Sequence, residues 1–233
     1  MPATDKKDFL YLIWKDPTTR QNFIVGKLSH EKDYEFGYCE ESELAMKNGW
    51  GGLEPFPDKE KVYKSEVMFP VFSSRLPDPK RRDIKNILDK YGLSSYDPYE
   101  LLKKNSGKLP IDTYEFVWPI FPDDETVQRD FYVMGVRHVA KCEGKQCACL
   151  PLVEYGDNLF FLPEPDNEKD RNAILVITEN GEKIGYVPRY YNEPILKRLS
   201  SGSTYSCKVL EVNPAPNCSE CLKVRLNIPC VDD

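Results

Sequence analysis

The stretch LPEPDNEKDRNAILVI, residues 162–177, decides how the second half of the chain is read. Six charged side chains and two asparagines stand directly ahead of the apolar run Ala173 to Ile177. That run needs a partner strand, and the residues after it supply one. NAILVIT, the turn ENG and EKIGYVPR read together as a β-hairpin, with Gly181 at the position that wants a positive φ. The polar string is then a tight strand-to-strand crossover. Short amide and carboxylate side chains satisfy backbone donors in such bends, so Asp166, Asn167, Asp170 and Asn172 fit a purely architectural role. Gathered on one loop, they also fit the lining of a binding pocket.

Working outward, DFYVMGVRHVA reads as a β run broken by Gly135, and CLPLVEYGDNLFFLPEP as two strand pieces around Gly156. TYSCKVLEV and CLKVRLNI form a last strand pair. NEPILKRLSSG is one short helix: Asn192 can cap it, Pro194 suits its first turn, Ile195, Leu196 and Leu199 make its apolar face, and Gly202 can end it. Several short strands and one helix in about 105 residues predict a small, strongly bent sheet or partly open barrel. Residues 131–233 are assigned to it.

The first 120 residues have a different texture. FLYLIW and NFIVGKL, joined by the turn-prone KDPTTRQ, predict a hairpin. YEFGYCEESELAMKNGWGGLEPFPD is rich in Gly, Pro and aromatic residues. A helix follows, entered at Pro79, with Ile84, Ile87, Leu88 and Tyr91 at helical spacing and Gly92 closing it. A second helix starts at Asp97 with Pro98 in its first turn and ends near Gly107. DTYEFVWPI returns as a strand, and Trp14, Trp50, Trp118, Phe56 and Phe69 are read as core aromatics. The Pro-bearing, acidic FPDDETVQRD, residues 121–130, reads as the linker. The expected class is α+β: an N-terminal α/β subdomain with a hairpin and two or three helices, then the bent sheet or partly open barrel.

The chain's 233 residues suffice for two domains of roughly 100 residues each. Its net charge of −6 argues against a broad electrostatic coat for DNA, so any nucleic-acid contact must be local. The basic string Lys80, Arg81, Arg82 and Lys85 reads as a solvated helix face, with an additional phosphate contact or a partner dock as the alternative. No basic segment leads into an apolar core at the N-terminus, and no apolar run reaches about 18 residues, so neither a signal peptide nor a membrane span is expected. The expected location is the cytoplasm. Two histidines and no Ser/His/Asp or H-E-x-x-H pattern leave little basis for an enzyme.

Seven of the eight cysteines fall between Cys142 and Cys230. Cys218 and Cys221 form a C-x-x-C knuckle, and Cys147 and Cys149 a C-x-C pair. Four such thiolates suit a tetrahedral zinc ion, while a redox pair or simply reduced, scattered thiols fit the same spacing. Apart from that structural zinc, no cofactor is expected.

FYVMGVRHV, then GDNLFFLPEPDNEKDRNAILVITENGEKIGYVPR, then a short helix and YSCKVLEV resemble a HIRAN domain over roughly residues 128–229. This small β module occurs in remodellers of the helicase-like transcription factor type and, by itself, in bacterial proteins. Its most specific string here is E-P-x-N-x-x-D-x-N-A, followed by a hairpin ending in I-G-Y-V-P-R. The remodeller-type members recognise the 3′-hydroxyl end of single-stranded DNA. The resemblance therefore implies that Asp170 accepts the terminal hydroxyl, that Asn167 orients the sugar or base, and that Arg137 contacts the phosphate on its 5′ side. His138, Asp166, Lys169, Arg171, Asn172 and Arg189 complete the expected interface.

The sequence departs from those members at three places. His138 and Val139 stand where they carry two tyrosines, and Lys169 where they carry an aromatic residue. Between Thr126 and Cys230 there are 13 basic and 13 acidic residues, so the module is not basic overall.

Residues 9–118 are similar to the N-terminal subdomain that precedes the kinase core of HipA-type toxins, through GKLSHEKDYEFGYCEE, GGLEPFPD and FPVFSSRLPDPKRRDIKNILDKYGL. The core itself is missing, with no Gly-rich phosphate loop and no H-R-D or D-F-G signature, so no phosphotransfer is implied. The expectation is a non-catalytic bacterial or phage protein that binds single-stranded DNA or DNA ends. The alternative is an interaction module, antitoxin-like or an accessory subunit, whose N-terminal domain binds a toxin kinase, nuclease or helicase.

Overall fold

Apolar alternation and turn chemistry organise the N-terminal half. The computed structural model describes residues 8–140, 153–213 and 220–229, and the chain divides into two compact units at Pro119/Ile120. In the first unit, β1 (Phe9–Lys15) and β2 (Asn22–His30) form the expected antiparallel hairpin. Asp16, 4% exposed, holds its turn by accepting from the Thr18 amide at 2.8 Å and from the Thr19 hydroxyl. β3 (Tyr34–Tyr38), α1 (Glu41–Lys47), β4 (Tyr63–Ser65), α2 (Pro70–Ser73), α3 (Ile84–Lys90), α4 (Pro98–Asn105) and β5 (Tyr114–Val117) follow. The sheet runs β4-β3-β2-β1-β5.

The cap of α4 is as the sequence predicts: Asp97 accepts from the backbone amides of Tyr99 and Glu100, and Pro98 opens the helix. Four helices stand in this unit among the described residues, against two or three expected, because the Gly- and aromatic-rich stretch after residue 34 contains β3 and α1. The core gathers Leu10, Phe23, Phe36, Phe72, Leu101, Leu102 and Phe116, all 1% exposed or less. Trp14, Trp50, Phe56 and Phe69 are buried with them, and Trp118 packs at the margin of this core.

The second unit consists of β6 (Val127–Tyr132), α5 (Val136–Val139), β7 (Asn158–Pro163), β8 (Ile174–Ile177), β9 (Lys183–Tyr186), α6 (Arg189–Ser200), β10 (Ser206–Val212) and β11 (Leu222–Ile228). Its strands pair antiparallel in the order β6-β11-β10-β7-β8-β9. The sheet curls far enough that Met134, two residues past β6, bridges Tyr186 of β9, the strand at the opposite edge. The result is a partly open antiparallel barrel, as expected from the sequence. Its hairpin turn uses Gly181 at φ 80°.

Three boundaries differ from the sequence reading. Residues 121–130 are not a free linker: Val127 to Asp130 lie in β6, paired to β11, and Asp124 forms an ion pair with Arg129 at 3.2 Å, with side chains 10% and 5% exposed. Arg198 of α6 also donates to the carbonyls of Phe121 and Asp124, at 2.8 and 2.7 Å. Gly135 at φ 71° does not merely interrupt a strand but starts the single turn α5, so Arg137 and His138 are helical. Finally, α6 begins three residues ahead of Asn192, which is therefore an interior residue and not the cap. No helix among the described residues is long and apolar enough to cross a membrane.

Candidate nucleic-acid interface

The crossover from β7 to β8 is built from its own side chains. Asn167 Oδ1 accepts from the amides of Lys169 and Asp170 at 3.0 and 3.2 Å, and Asp170 Oδ1 accepts from the Asn172 amide at 2.9 Å. Two Asx turns thus follow one another, which is why the loop is dense in Asn and Asp. A second layer fixes this pair to the barrel. Asn167 Nδ2 and the Tyr186 hydroxyl both donate to Glu164 Oε2 at 3.0 Å, Lys183 lies 3.6 Å from Glu164 Oε1, and Asn192 Nδ2 donates to Asp170 Oδ2 at 3.0 Å.

Tyr186 connects this loop to α5. Its backbone exchanges two 2.8 Å hydrogen bonds with Met134, immediately before Gly135 and the turn that carries Arg137. Gly185 permits that approach, since a Cβ there would meet the Met134 carbonyl oxygen at 2.5 Å. Tyr186 thus ties two elements together: its backbone bonds Met134 ahead of the Arg137 turn, and its hydroxyl bonds the Glu164 carboxylate that also holds Asn167. Arg137 is half-buried, with no hydrogen bond or ion pair among the described residues. His138, Asp166, Lys169, Arg171 and Asn172 are exposed, and Arg189 is exposed at the first position of α6. Beside the loop, Pro163 and Asn172 face Glu193, Leu196 and Lys197 of α6 across a groove of about 530 Å³.

Sequence reasoning missed Glu164, Tyr186 and Asn192, although Glu164 and Tyr186 stand inside the two strings that were singled out. Of the metal candidates, Cys147, Cys149 and Cys218 lie outside the described residues, and Cys221 is buried at 4% exposure.

The electrostatics give the loop an acid limit. The Asn167 amide, with the Tyr186 hydroxyl and Lys183, holds the Glu164 carboxyl below its ordinary 4.5, while burial and then Glu164 itself raise the Tyr186 hydroxyl above its usual range. A carboxyl depressed in the folded state stabilises the fold above its unfolded pKa and loses that contribution as pH falls through the folded value. Hydrogen exchange at the Asn167 and Asp170 amides is therefore expected to stay slow at pH 6 and to accelerate, relative to the barrel strands, as pH drops below about 4.5. A Glu164→Gln protein should lack this pH-dependent step.

Residues 128–229 match the family model of the HIRAN domain. A Fanconi-associated nuclease 1 homolog of Arabidopsis thaliana is 41% identical over 46 residues, a match covering 20% of this chain and 5% of that protein. Two solved structures are also similar. The HIRAN domain of human HLTF is 16% identical, covering 45% of this chain and 78% of that one, with a TM-score of 0.34. A protein from Lactobacillus plantarum is 23% identical, covering 44% and 94%, with a TM-score of 0.35. The family match begins at residue 128, so the likeness of the first unit to toxin-kinase subdomains rests on the strings quoted above. The partly open barrel that carries the Asn167/Asp170 loop is thus the part of the chain, residues 128–229, that matches the HIRAN domain model.

Proposed function

We propose that this chain binds single-stranded DNA at its 3′ end through the HIRAN domain, without catalysing a reaction. The observation that carries the reading is that Tyr186, through Met134 and Glu164, links the elements bearing two unlike groups: a carboxylate, Asp170, anchored by two donors, and an arginine, Arg137, with no partner among the described residues. A carboxylate accepts a hydrogen bond from a terminal hydroxyl and repels an internal phosphodiester, so it selects an end. The Arg137 guanidinium would suit the phosphate that precedes that end. Lys169 and Arg171 add exposed cations on the same loop.

The missing aromatic platforms at His138, Val139 and Lys169 weaken base stacking, at about 1–3 kcal/mol for each lost platform. Binding should accordingly be modest and salt-sensitive. The nuclease relative shares only a short segment with this chain, and the non-enzyme proposal rests on the polar residues of the loop, which form no nucleophile–base pair among the described residues.

Two substitutions test the assignment of roles. Arg137→Ala should weaken binding of every single strand and lower the salt slope by roughly 0.7, the contribution of one phosphate contact. Asp170→Asn should compress the preference for a 3′-hydroxyl over a 3′-phosphate strand by about 1.5–3 kcal/mol, the size of one charge-assisted hydrogen bond. Fluorescence anisotropy with labelled oligonucleotides at low salt measures both. A wild-type protein that binds no strand, or binds both ends equally, defeats the reading. The balanced charge of the domain and the internally satisfied loop would then favour an interaction module, with the first unit contacting a kinase, nuclease or helicase.

A further inference from the structure

Asn192 sits at the fourth position of α6, 3% exposed. Asparagine is a poor choice there, because its side chain competes with the backbone for hydrogen bonds and so favours caps and turns. Its Oδ1 is buried and finds no donor, a further local cost that an alanine or leucine would not carry. Within α6 nothing recommends the residue. What it does make is one bond outside the helix, from Nδ2 to Asp170 Oδ2 at 3.0 Å.

That bond completes the anchoring of the carboxylate. The Asn172 amide holds Oδ1 and the Asn192 amide holds Oδ2, so neither oxygen is left to rotation of the side chain. An ionised carboxylate has about four acceptor sites, and these two donors leave the others for an incoming hydroxyl.

Resting on the 3′-end reading above, we infer that Asn192 is the positioning residue of the end-recognition site: it orients the Asp170 carboxylate without touching the strand and so sets hydroxyl selectivity. The consequence is specific to the terminal atom. Loss of Asn192 should leave contacts to internal phosphates intact and reduce only the advantage of a 3′-hydroxyl end over a 3′-deoxy end, which carries no charge of its own.

The test compares strands ending in 3′-hydroxyl and in 2′,3′-dideoxynucleotide on wild type, Asp170→Ala, Asn192→Ala, Asn192→Leu and the double Asp170→Ala/Asn192→Ala. Asn192→Leu keeps the number and branching of side-chain heavy atoms while removing the donor, and Ile195→Val, at a fully buried site one turn along α6, controls for loss of packing. The expected result is a selectivity ratio reduced about tenfold in both Asn192 variants, a factor equivalent to 1.4 kcal/mol, an unchanged ratio in Ile195→Val, and no further loss in the double variant. Wild-type selectivity that is abolished by Asp170→Ala but retained in both Asn192 variants overturns the inference and leaves the 3′-end reading standing. Absence of selectivity in the wild type overturns the reading, and the inference with it. If neither Asn192 variant folds, Asn192→Ser, smaller and too short to reach Asp170, decides, and a ratio at the wild-type value counts against positioning.

Discussion

Replacing Arg75 by alanine is expected to destabilise the N-terminal unit by about 3–5 kcal/mol, the scale for breaking a buried ion pair from one side. Its side chain is 7% exposed. The guanidinium makes two parallel 2.7 Å bonds to the Asp112 carboxylate and donates also to the carbonyls of Gly107 and Tyr114, at 2.6 and 3.1 Å. Four acceptors of the α4–β5 connection thus depend on one residue. Burial by itself would raise the Asp112 carboxyl, but hydrogen bonds from Arg75 and the Tyr114 amide outweigh it and hold the group below its ordinary 3.8. All three tryptophans, Trp14, Trp50 and Trp118, belong to this unit. Urea unfolding followed by tryptophan fluorescence therefore reports on it alone. A shift below about 1 kcal/mol would place the pair among ordinary surface bridges.

The second large effect falls on the other unit. Gly185→Ala should destabilise the barrel by about 3–5 kcal/mol, combining an overpacking cost of about 1–3 with the weakening of two hydrogen bonds at about 1 each. The added methyl would lie 2.5 Å from the Met134 oxygen and 2.7 Å from Val133 Cγ1. Met134 would have to withdraw, and its oxygen is the acceptor for the Tyr186 amide that closes the barrel seam. Arg137 would move with it, so strand binding should weaken in the protein that remains folded. Gly51→Ala is the matched control: a Cβ there meets nothing within 4 Å, and its φ is not positive. Its stability should stay within about 0.5 kcal/mol of wild type. Circular dichroism melts with an oligonucleotide titration separate the two outcomes, and a stable, fully binding Gly185→Ala protein would show that the seam is not needed.

Elements whose signal is local were legible in the sequence. The β1–β2 hairpin, the Asp97–Pro98 start of α4 and the Gly181 turn each follow from a few adjacent residues. The misread segments depend on partners far along the chain. Residues 121–130 look like an acidic linker because burial of Arg129 makes sense only once Asp124 is folded beside it. Asn192 looks like a helix cap because the residue it serves, Asp170, lies 22 positions away. In the crossover loop, Asn167 and Asp170 were identifiable from the string itself. Glu164 and Tyr186 became visible only through the barrel that joins them. The one-turn α5 arises from a single glycine conformation, a signal too short for any periodicity to register.

The clamp formed by Arg198 has a mechanical meaning. Within five residues of Ile120 the chain is fastened to α6 by the bonds to Phe121 and Asp124, and six residues back along that helix Asn192 grips the Asp170 loop. Tension on the chain at Ile120 is therefore loaded onto α6 before it is loaded onto the sheet. The helix is a strut with its load point near one end and the Asp170 loop near the other.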